Sequence, residues 1–532
     1  MDKINYQSEY KRWLQAGACS VIDDDNLIKE CFSKNLKFGT GGIRAIMGAG
    51  PNRLNLFTVR KATEGFANYI LGNNGAEDGI VIAFDNRENS EAFAKEAAAV
   101  LSSHKVKVYL FESLRPTPEL SFAIRHLKAF GGIVITASHN PPEYNGYKTY
   151  DKHGCQSVPR DTDKIIKYIN SIGDVLSIEV NEKPEYISVI GDETDEAYVE
   201  ALLTVQERPK LRKSVKVVYT PLHGTGHEPV KTMLKKLGYD FIEVEEQSFP
   251  SETFKNVYSP NPENPKSFDL AIAEAKHFKA DVVIATDPDC DRLGVVVRHN
   301  KKYEYLTGNQ TGAILLKYLL SSKKEKGTLP KNGIVFDTIV TGSLGSLVAK
   351  SYGMEVESTL TGFKFIGDKI REYSGKKDFV FGYEESYGYL IKDFCRDKDA
   401  VQATILLCEA AQYYKDKNMT LIDVLNALYK KFGYIEDVQE SQTFSGLNAE
   451  DEINKIVDSY RSENISELEG RKVIAKEDYL NGVRYENGNT TKLNLPKSNV
   501  MKFFLEDGSW VVVRPSGNEP KIKYYKNLIH SG

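Results

Sequence analysis

Two stretches of this sequence crowd reactive side chains into short polar segments that directly follow apolar runs. ITASHNPPEYNGYKTY, residues 135–150, offers Ser138 as a hydroxyl nucleophile, His139 as an acid–base group and Lys148 as a positive charge, and Pro141 and Pro142 stiffen the exit. A nucleophilic hydroxyl needs a rigid, exposed loop, acid–base help and, where a phosphoryl group is in transit, positive charge. Taken alone, the same residues also read as an Asn-Pro turn capped by a serine. The second stretch, DVVIATDPDCDRLGVV, alternates Asp287, Asp289 and Asp291 after an apolar run. Like charges at this density oppose one another unless a cation neutralises them, and an all-oxygen set suits Mg²⁺. An EF-hand loop also begins D-x-D-x-D, but here Arg292 occupies its glycine position and Arg298 its final glutamate position. A solvated acidic turn is the remaining alternative.

Three further segments are weaker alone. In FGYEESYGYL, residues 381–390, Glu384 and Ser386 can hydrogen-bond sugar hydroxyls or simply face solvent. In RPSGNEPKIKYY, residues 514–525, Arg514 supplies a bidentate fork, Ser516 a hydroxyl, and Gly517 and Asn518 a turn whose N–H groups can approach an anion. A surface turn explains that segment equally. FGTGGIRA, residues 38–45, pairs a Gly-rich backbone with Arg44 but lacks the closing Gly-Lys-Ser/Thr of a nucleotide phosphate loop, so it is not read as an ATP site. Together the clusters assemble a hydroxyl nucleophile, a metal loop, a sugar-contact loop and a phosphate clamp. That set serves phosphoryl transfer on a phosphosugar.

The elements that must position them alternate in period. GIVIAF, VKVYLF and GGIVIT read as strands, and SEAFAKEAAAVLSSH and TPELSFAIRHLKAF between them have helical spacing. Similar cycles restart near residue 215 (KVVYT, EPVKTMLKKLG, FDLAIAEAKHFKA, DVVIA) and near 333 (GIVFD, SLGSLVAKSYG, DFVFG). This grammar predicts α/β layers with largely parallel sheets, which receive ligands in the loops at the carboxyl ends of their strands. Residues 401–432 read as helical with a long apolar stripe, and the tail from about 440 as a smaller α+β domain containing the helix AEDEINKIVDSYRSE. Joints fall near 190–212, 300–312 and 433–445.

With 532 residues, 41% hydrophobic and 27% charged, the chain suits three or four globular domains. A net charge of −4 supplies no electrostatic reason for a nucleic-acid or membrane partner. Six cysteines without a CxxC pair read as reduced thiols. The polar N-terminus carries no apolar signal core, and no window approaches a membrane span of roughly 18 apolar residues. A cytoplasmic enzyme, monomeric or weakly homo-oligomeric, is the expectation.

The motifs in this order resemble those of the α-D-phosphohexomutase superfamily across nearly the whole chain. TASHNP resembles its phosphoserine loop, DPDCDR its metal loop, YEES its sugar loop and RPSGNEPK its phosphate loop. The resemblance implies three similar α/β domains and a C-terminal α+β domain around a central cleft, drawn at 1–205, 206–308, 309–437 and 438–532. It implies Ser138 phosphorylated at rest, and one Mg²⁺ held by Asp287, Asp289, Asp291 and the phosphoserine. It also carries over Arg292 beside His139 and Lys148 at the phosphoryl group, and Lys398 of RDKDA as a cation suited to acid–base work. Thr361 and Gly362 of TLTGFKFIG resemble a loop that distinguishes two substrate orientations, and Arg44 an early active-site arginine. Tyr383 stands where the family commonly has Gly, Pro288 and Cys290 also replace glycines, and Asn518 replaces Thr. YEESYGYL and RDKDA look closest to the branch containing bacterial phosphoglucomutases and phosphoglucomutase/phosphopentomutases. The implied activity interconverts glucose 1-phosphate and glucose 6-phosphate through a glucose 1,6-bisphosphate intermediate that also serves as activator. Pentose or mannose phosphates are the alternative substrates.

Overall fold

The three alternating stretches each fold into a sheet built on the same four-strand motif. The computed structural model describes residues 5–444, 449–517 and 521–530. In the first sheet, β1 (Ile43–Ile46), β2 (Ile80–Phe84), β3 (Val108–Phe111), β4 (Gly131–Ile135), β5 (Tyr144–Asp151) and β6 (Ile187–Ile190) lie in the order β1-β5-β4-β2-β3-β6. The second contains β7 (Lys216–Thr220), β8 (Asp240–Glu243), β9 (Val282–Thr286), β10 (Leu293–His299) and β11 (Lys302–Leu306), ordered β11-β10-β9-β7-β8. The third runs β13-β12-β14-β15, from β12 (Gly333–Thr338), β13 (Glu355–Thr359), β14 (Asp378–Glu384) and β15 (Gly388–Leu390).

Each sheet shares one motif: three parallel strands, the first in the middle, and a fourth strand antiparallel to the third. The cause is visible in the side chains. IVIAF of β2 is buried throughout, with Ile80, Ile82 and Phe84 in one core and Val81 and Ala83 in another. Both faces are therefore covered, which is why the run is continuously apolar rather than alternating. In β9, Val282 and Ile284 face one core, and Val283 and Ala285 the other.

This topology puts three of the chemical segments in one equivalent place. Residues 136–143, 287–292 and 385–387 all connect the third parallel strand to the antiparallel fourth. That position lies at the carboxyl end of a parallel strand, where open α/β sheets bind ligands.

The segment 401–432, expected as one helical stripe, is two helices, Ala400–Lys415 and Leu421–Phe432. The break falls where Asn418 adopts φ +59° and Thr420 opens the second helix with a capping box to Asp423. Helix Ala400–Lys415 is buried on nearly all sides and joins the second and third cores. Its Glu409 accepts from the backbone N–H groups of Glu207 and Arg208, and Gln412 from those of Ser214 and Val215. The passage into the second sheet is thus pinned by buried acceptors. The C-terminal part is an antiparallel sheet whose Met501, Phe503, Val513 and Ile522 pack with Ile453 and Val457 of helix Ala449–Ser462.

Candidate active site

Ser138 adopts φ +52°, a left-handed conformation that costs a non-glycine residue about 1–2 kcal/mol. Its N–H donates to Thr136 Oγ1 at 2.8 Å, and its carbonyl accepts from Arg87. The hydroxyl donates to Asp287 Oδ2 at 2.8 Å, and His139 Nδ1 lies 3.3 Å from the same Oγ. The sequence calls for an exposed hydroxyl, yet Ser138 is buried because the 287–292 turn of the second sheet closes over it.

That turn gathers the three carboxylates. Asp287, Asp289 and Asp291 present oxygens that all lie within 4.8 Å of one another, and all three residues are buried. Asp287 Oδ1 accepts from the N–H groups of Asp291 and Arg292, and Asp289 Oδ2 from Thr117 Oγ1 at 2.9 Å. Asp289 Oδ1 and Asp291 Oδ1 are buried with no hydrogen-bond partner. An unpartnered buried carboxylate oxygen is costly, and a hard divalent cation supplies what this all-oxygen set lacks. The residues fit such an ion.

Burial, reinforced by Asp289 and Asp291, pushes the Asp287 carboxyl well above the ordinary carboxylate range. Burial opposes ionisation of Asp289 too, but Lys148, 3.4 Å away, together with Asp287, Lys398 and Thr117, holds that group low. Lys398 lies 2.9 Å from Asp291 and 3.2 Å from Asp397. Burial disfavours its charge, yet these carboxylates raise its pKa and favour the ammonium form, so Lys398 brings positive charge to the site. Arg292 pairs with Glu263, and Arg44 donates to Asn140 Oδ1 at 3.0 Å. Burial, then the charges of Arg292, Arg44, Arg87 and Lys523, drive the His139 pKa well below its usual value. The imidazole beside Ser138 is neutral at neutral pH.

The third sheet brings in Glu384, whose Oε1 accepts from Gly362 N–H at 2.9 Å. Gly362 has φ +113°, and Thr361 beside it is half-buried. Ser386 is half-buried in the β14–β15 turn. The 287–292 and 385–387 turns are stitched together, since Leu293 N–H donates to Tyr387 O at 2.9 Å. Gly388 allows Lys398 to pass, for a Cβ there would lie 2.0 Å from Lys398 Cδ. Tyr383 fits where Gly is common because Gly312 and Gly345 leave room for its ring. On the C-terminal sheet Arg514 stands opposite Lys523. The charge of Arg514 reaches Glu385, whose carboxyl burial and Glu384 push up to about 7. Ser516 N–H closes its turn onto Lys521 O, Gly517 is exposed, and Asn518 lies outside the described residues.

The structure thus gathers Ser138, His139, Lys148, Arg44, Arg292, Lys398 and the three aspartates, with Glu384 and Gly362 at one side. It adds Thr117, Glu263, Asp397 and Arg87, which sequence reasoning passed over. Asp397 lies in the quoted RDKDA and Arg87 in DNR just after the IVIAF strand, but neither letter marks the contact it makes.

Models of phosphoglucomutase/phosphomannomutase α/β/α domains I, II and III match residues 35–175, 196–301 and 307–432. A phosphoglucomutase of Staphylococcus epidermidis is 40% identical over 94% of this chain and 92% of its own. One of Staphylococcus aureus is 38% identical over 94% of this chain and 91% of its own. In fold, the chain matches a phosphoglucomutase (parafusin) of Paramecium with a TM-score of 0.69 at 18% identity, covering 93% of this chain and 90% of that one. It also matches a phosphoglucomutase/phosphomannomutase family protein of Burkholderia thailandensis, TM-score 0.67 at 20% identity, over 93% of each chain. A serine set against three buried carboxylates under a rim of cations therefore occurs in a chain that belongs to the phosphoglucomutase/phosphomannomutase family of α-D-phosphohexomutases.

Proposed function

We propose that the protein is a phosphoglucomutase, interconverting glucose 1-phosphate and glucose 6-phosphate by way of phosphoserine at Ser138 and a glucose 1,6-bisphosphate intermediate. The observation that carries this reading is the Ser138 hydroxyl, 2.8 Å from Asp287 at the edge of the buried carboxylate set.

In the first transfer the free hydroxyl oxygen of the hexose monophosphate attacks the phosphorus on Ser138. The Oγ–P bond breaks as the sugar O–P bond forms, and the proton lost by the sugar hydroxyl is matched by one gained at Oγ. In the return transfer Ser138 Oγ attacks the phosphorus of the other phosphate, the bond from that phosphorus to the sugar oxygen breaks as the Oγ–P bond forms, His139 takes the serine proton, and the released sugar oxygen gains one. Asp287, Asp289 and Asp291, with the phosphoserine, would hold Mg²⁺, which when bound neutralises charge on the transferring group. Arg44, Lys148, Arg292 and Lys398 surround that group with positive charge. Glu384 and Ser386 orient the ring, Thr361 and Gly362 border it in both orientations, and Arg514, Ser516, Gly517 and Asn518 hold the phosphate not in transit. Glucose 1,6-bisphosphate acts as activator by rephosphorylating a free Ser138. The four functions map to domains at 1–205, 206–308, 309–437 and 438–532. The protein acts in the cytoplasm on small phosphosugars, as a monomer or weak homo-oligomer, without a nucleic-acid or membrane partner.

A coupled assay of the purified protein on glucose, mannose, ribose and glucosamine phosphates tests the reading. Glucose 1-phosphate should give the highest kcat/KM, and intact mass should show one phosphate, mapped to Ser138. Preference for a ribose phosphate would move the protein to phosphopentomutase with the mechanism unchanged.

A further inference from the structure

We propose that Arg87 is the positioning residue that fixes the Ser138 turn for phosphoryl transfer, with Asp85 as its buried counter-ion; this rests on the mutase reading above. Both side chains are fully buried, and Arg87 Nε lies 3.2 Å from Asp85 Oδ2. The four Nη donors are all spent on the turn itself. Nη2 donates to the carbonyls of Ser138 and Asn140, each at 2.5 Å, and Nη1 to those of Pro141 at 2.8 Å and Tyr144 at 3.1 Å. One guanidinium therefore collects four carbonyls from the seven residues 138–144, a stretch without regular structure that ends on the first residue of β5.

Asp85 ties the same turn from the other side. Its Oδ2 accepts from Thr136 Oγ1 at 2.6 Å, and Thr136 Oγ1 in turn accepts the N–H of Ser138 at 2.8 Å. Its Oδ1 accepts from Ser90 Oγ at 2.7 Å and from Arg87 N–H at 3.0 Å. Two paths leave Asp85, one through Arg87 and one through Thr136, and they close on the carbonyl and the amide of one residue. That residue is Ser138, held at φ +52°, a conformation that a serine keeps only when its surroundings over-determine it. The position is the loop after the first parallel strand, while the serine follows the third, so the central strand of the sheet aligns the nucleophile on its neighbour. Arg87 touches neither the hydroxyl nor the carboxylate set by any hydrogen bond, and it acts through backbone.

Only a planar fork meets this need. A lysine at the same place brings one point charge with three donors and cannot span both pairs of carbonyls. Behind the guanidinium, which also stacks 4.9 Å from the Phe254 ring centroid, opens a cavity of about 590 Å³ lined by Asp85, Asn86, Arg87 and Pro250 among others. Truncation of Arg87 leaves a hole that a small guanidinium ion can reach from this cavity.

The test is single-turnover transfer from phosphorylated full-length enzyme to glucose 6-phosphate, in wild type, Arg87→Ala and Arg87→Lys. Misplacement of the nucleophile predicts a loss of about 100-fold in kcat for Arg87→Ala and a smaller one for Arg87→Lys, with KM for the sugar phosphate little changed. Guanidinium chloride at low millimolar concentration should restore transfer in Arg87→Ala, and ammonium chloride should not. A merely structural arginine would not show that selective rescue. Wild-type kcat in Arg87→Lys, or no gain from guanidinium in folded Arg87→Ala, overturns the proposal; if Arg87→Ala is insoluble, the kcat of Arg87→Lys decides. Failure of wild-type Ser138 to take up phosphate even from glucose 1,6-bisphosphate would instead remove the mutase reading, and this inference with it.

Discussion

At the scale of single residues, the site pairs each costly feature with a purpose. Burying a serine hydroxyl against three carboxylates is unfavourable unless a cation and a phosphoryl group complete the arrangement. Ser138→Ala removes the oxygen that carries the phosphoryl group and should reduce mutase turnover to background in the coupled assay; unimpaired turnover would reassign the nucleophile. Asp289 contributes one of the two unpartnered buried oxygens of the three-aspartate set. Asp289→Asn should weaken Mg²⁺ binding and slow turnover at least tenfold, about 1.4 kcal/mol of barrier. Chelation should abolish activity and added Mg²⁺ restore it, with metal affinity followed directly by calorimetry. Activity that persists in chelator would make the carboxylate turn structural.

At the scale of elements, the antiparallel fourth strand decides where chemistry sits. A parallel strand followed by a tight antiparallel return leaves a short turn whose backbone is strained and whose side chains point out of the sheet. Ser138, Cys290 and Tyr387, one in each of the three turns, all have positive φ. In the third turn the constraint is also steric. A methyl group at Gly388 meets the Lys398 stem rather than backbone, so the flexible lysine yields before the fold does. Gly388→Ala should therefore displace the ammonium from Asp291 and Asp397 and lower kcat roughly tenfold, about 1.4 kcal/mol. The thermal midpoint should shift little. A large drop in thermal midpoint with normal specific activity would show that Gly388 serves packing instead.

At the scale of the whole molecule, the proposed mechanism assigns the transferring end and the anchoring end of the substrate to different parts of the chain. Arg514 lies on the C-terminal sheet, opposite Lys523, whose charge is felt at His139 near the start of the chain. Arg514→Ala should cost the non-transferring phosphate a charge-assisted contact of roughly 1.5–3 kcal/mol. Binding of glucose 6-phosphate measured by calorimetry should weaken accordingly, and equal affinity in wild type and variant would count against the clamp. The sugar-hydroxyl contacts proposed for Glu384 and Ser386 would penalise a sugar that leaves them unpaired, while the proposed phosphate anchor is common to all substrates. Glucose phosphates should thus be preferred, with measurable side activity on mannose or pentose phosphates.

The sequence by itself determined which residue types could do the chemistry and which runs would be strands. DPDCDR announces its carboxylates by adjacency, and IVIAF and VVIAT announce buried strands, because charge density and apolar continuity are local properties of a chain. Similar local grammar also showed three cycles, and the ordered motifs identified the family. Tertiary structure alone decided that the three chemical turns occupy one topological position, since strand order is a long-range property that no periodicity encodes. It alone placed Lys398 on Asp291, across more than a hundred residues of chain, and set Glu263 on Arg292. Arg87 shows the limit most plainly. An arginine after a strand is unremarkable in a row of letters, and its use lies in four carbonyls that only folding brings to one guanidinium. Backbone acceptors are the same at every residue, so the sequence has no letter with which to mark them.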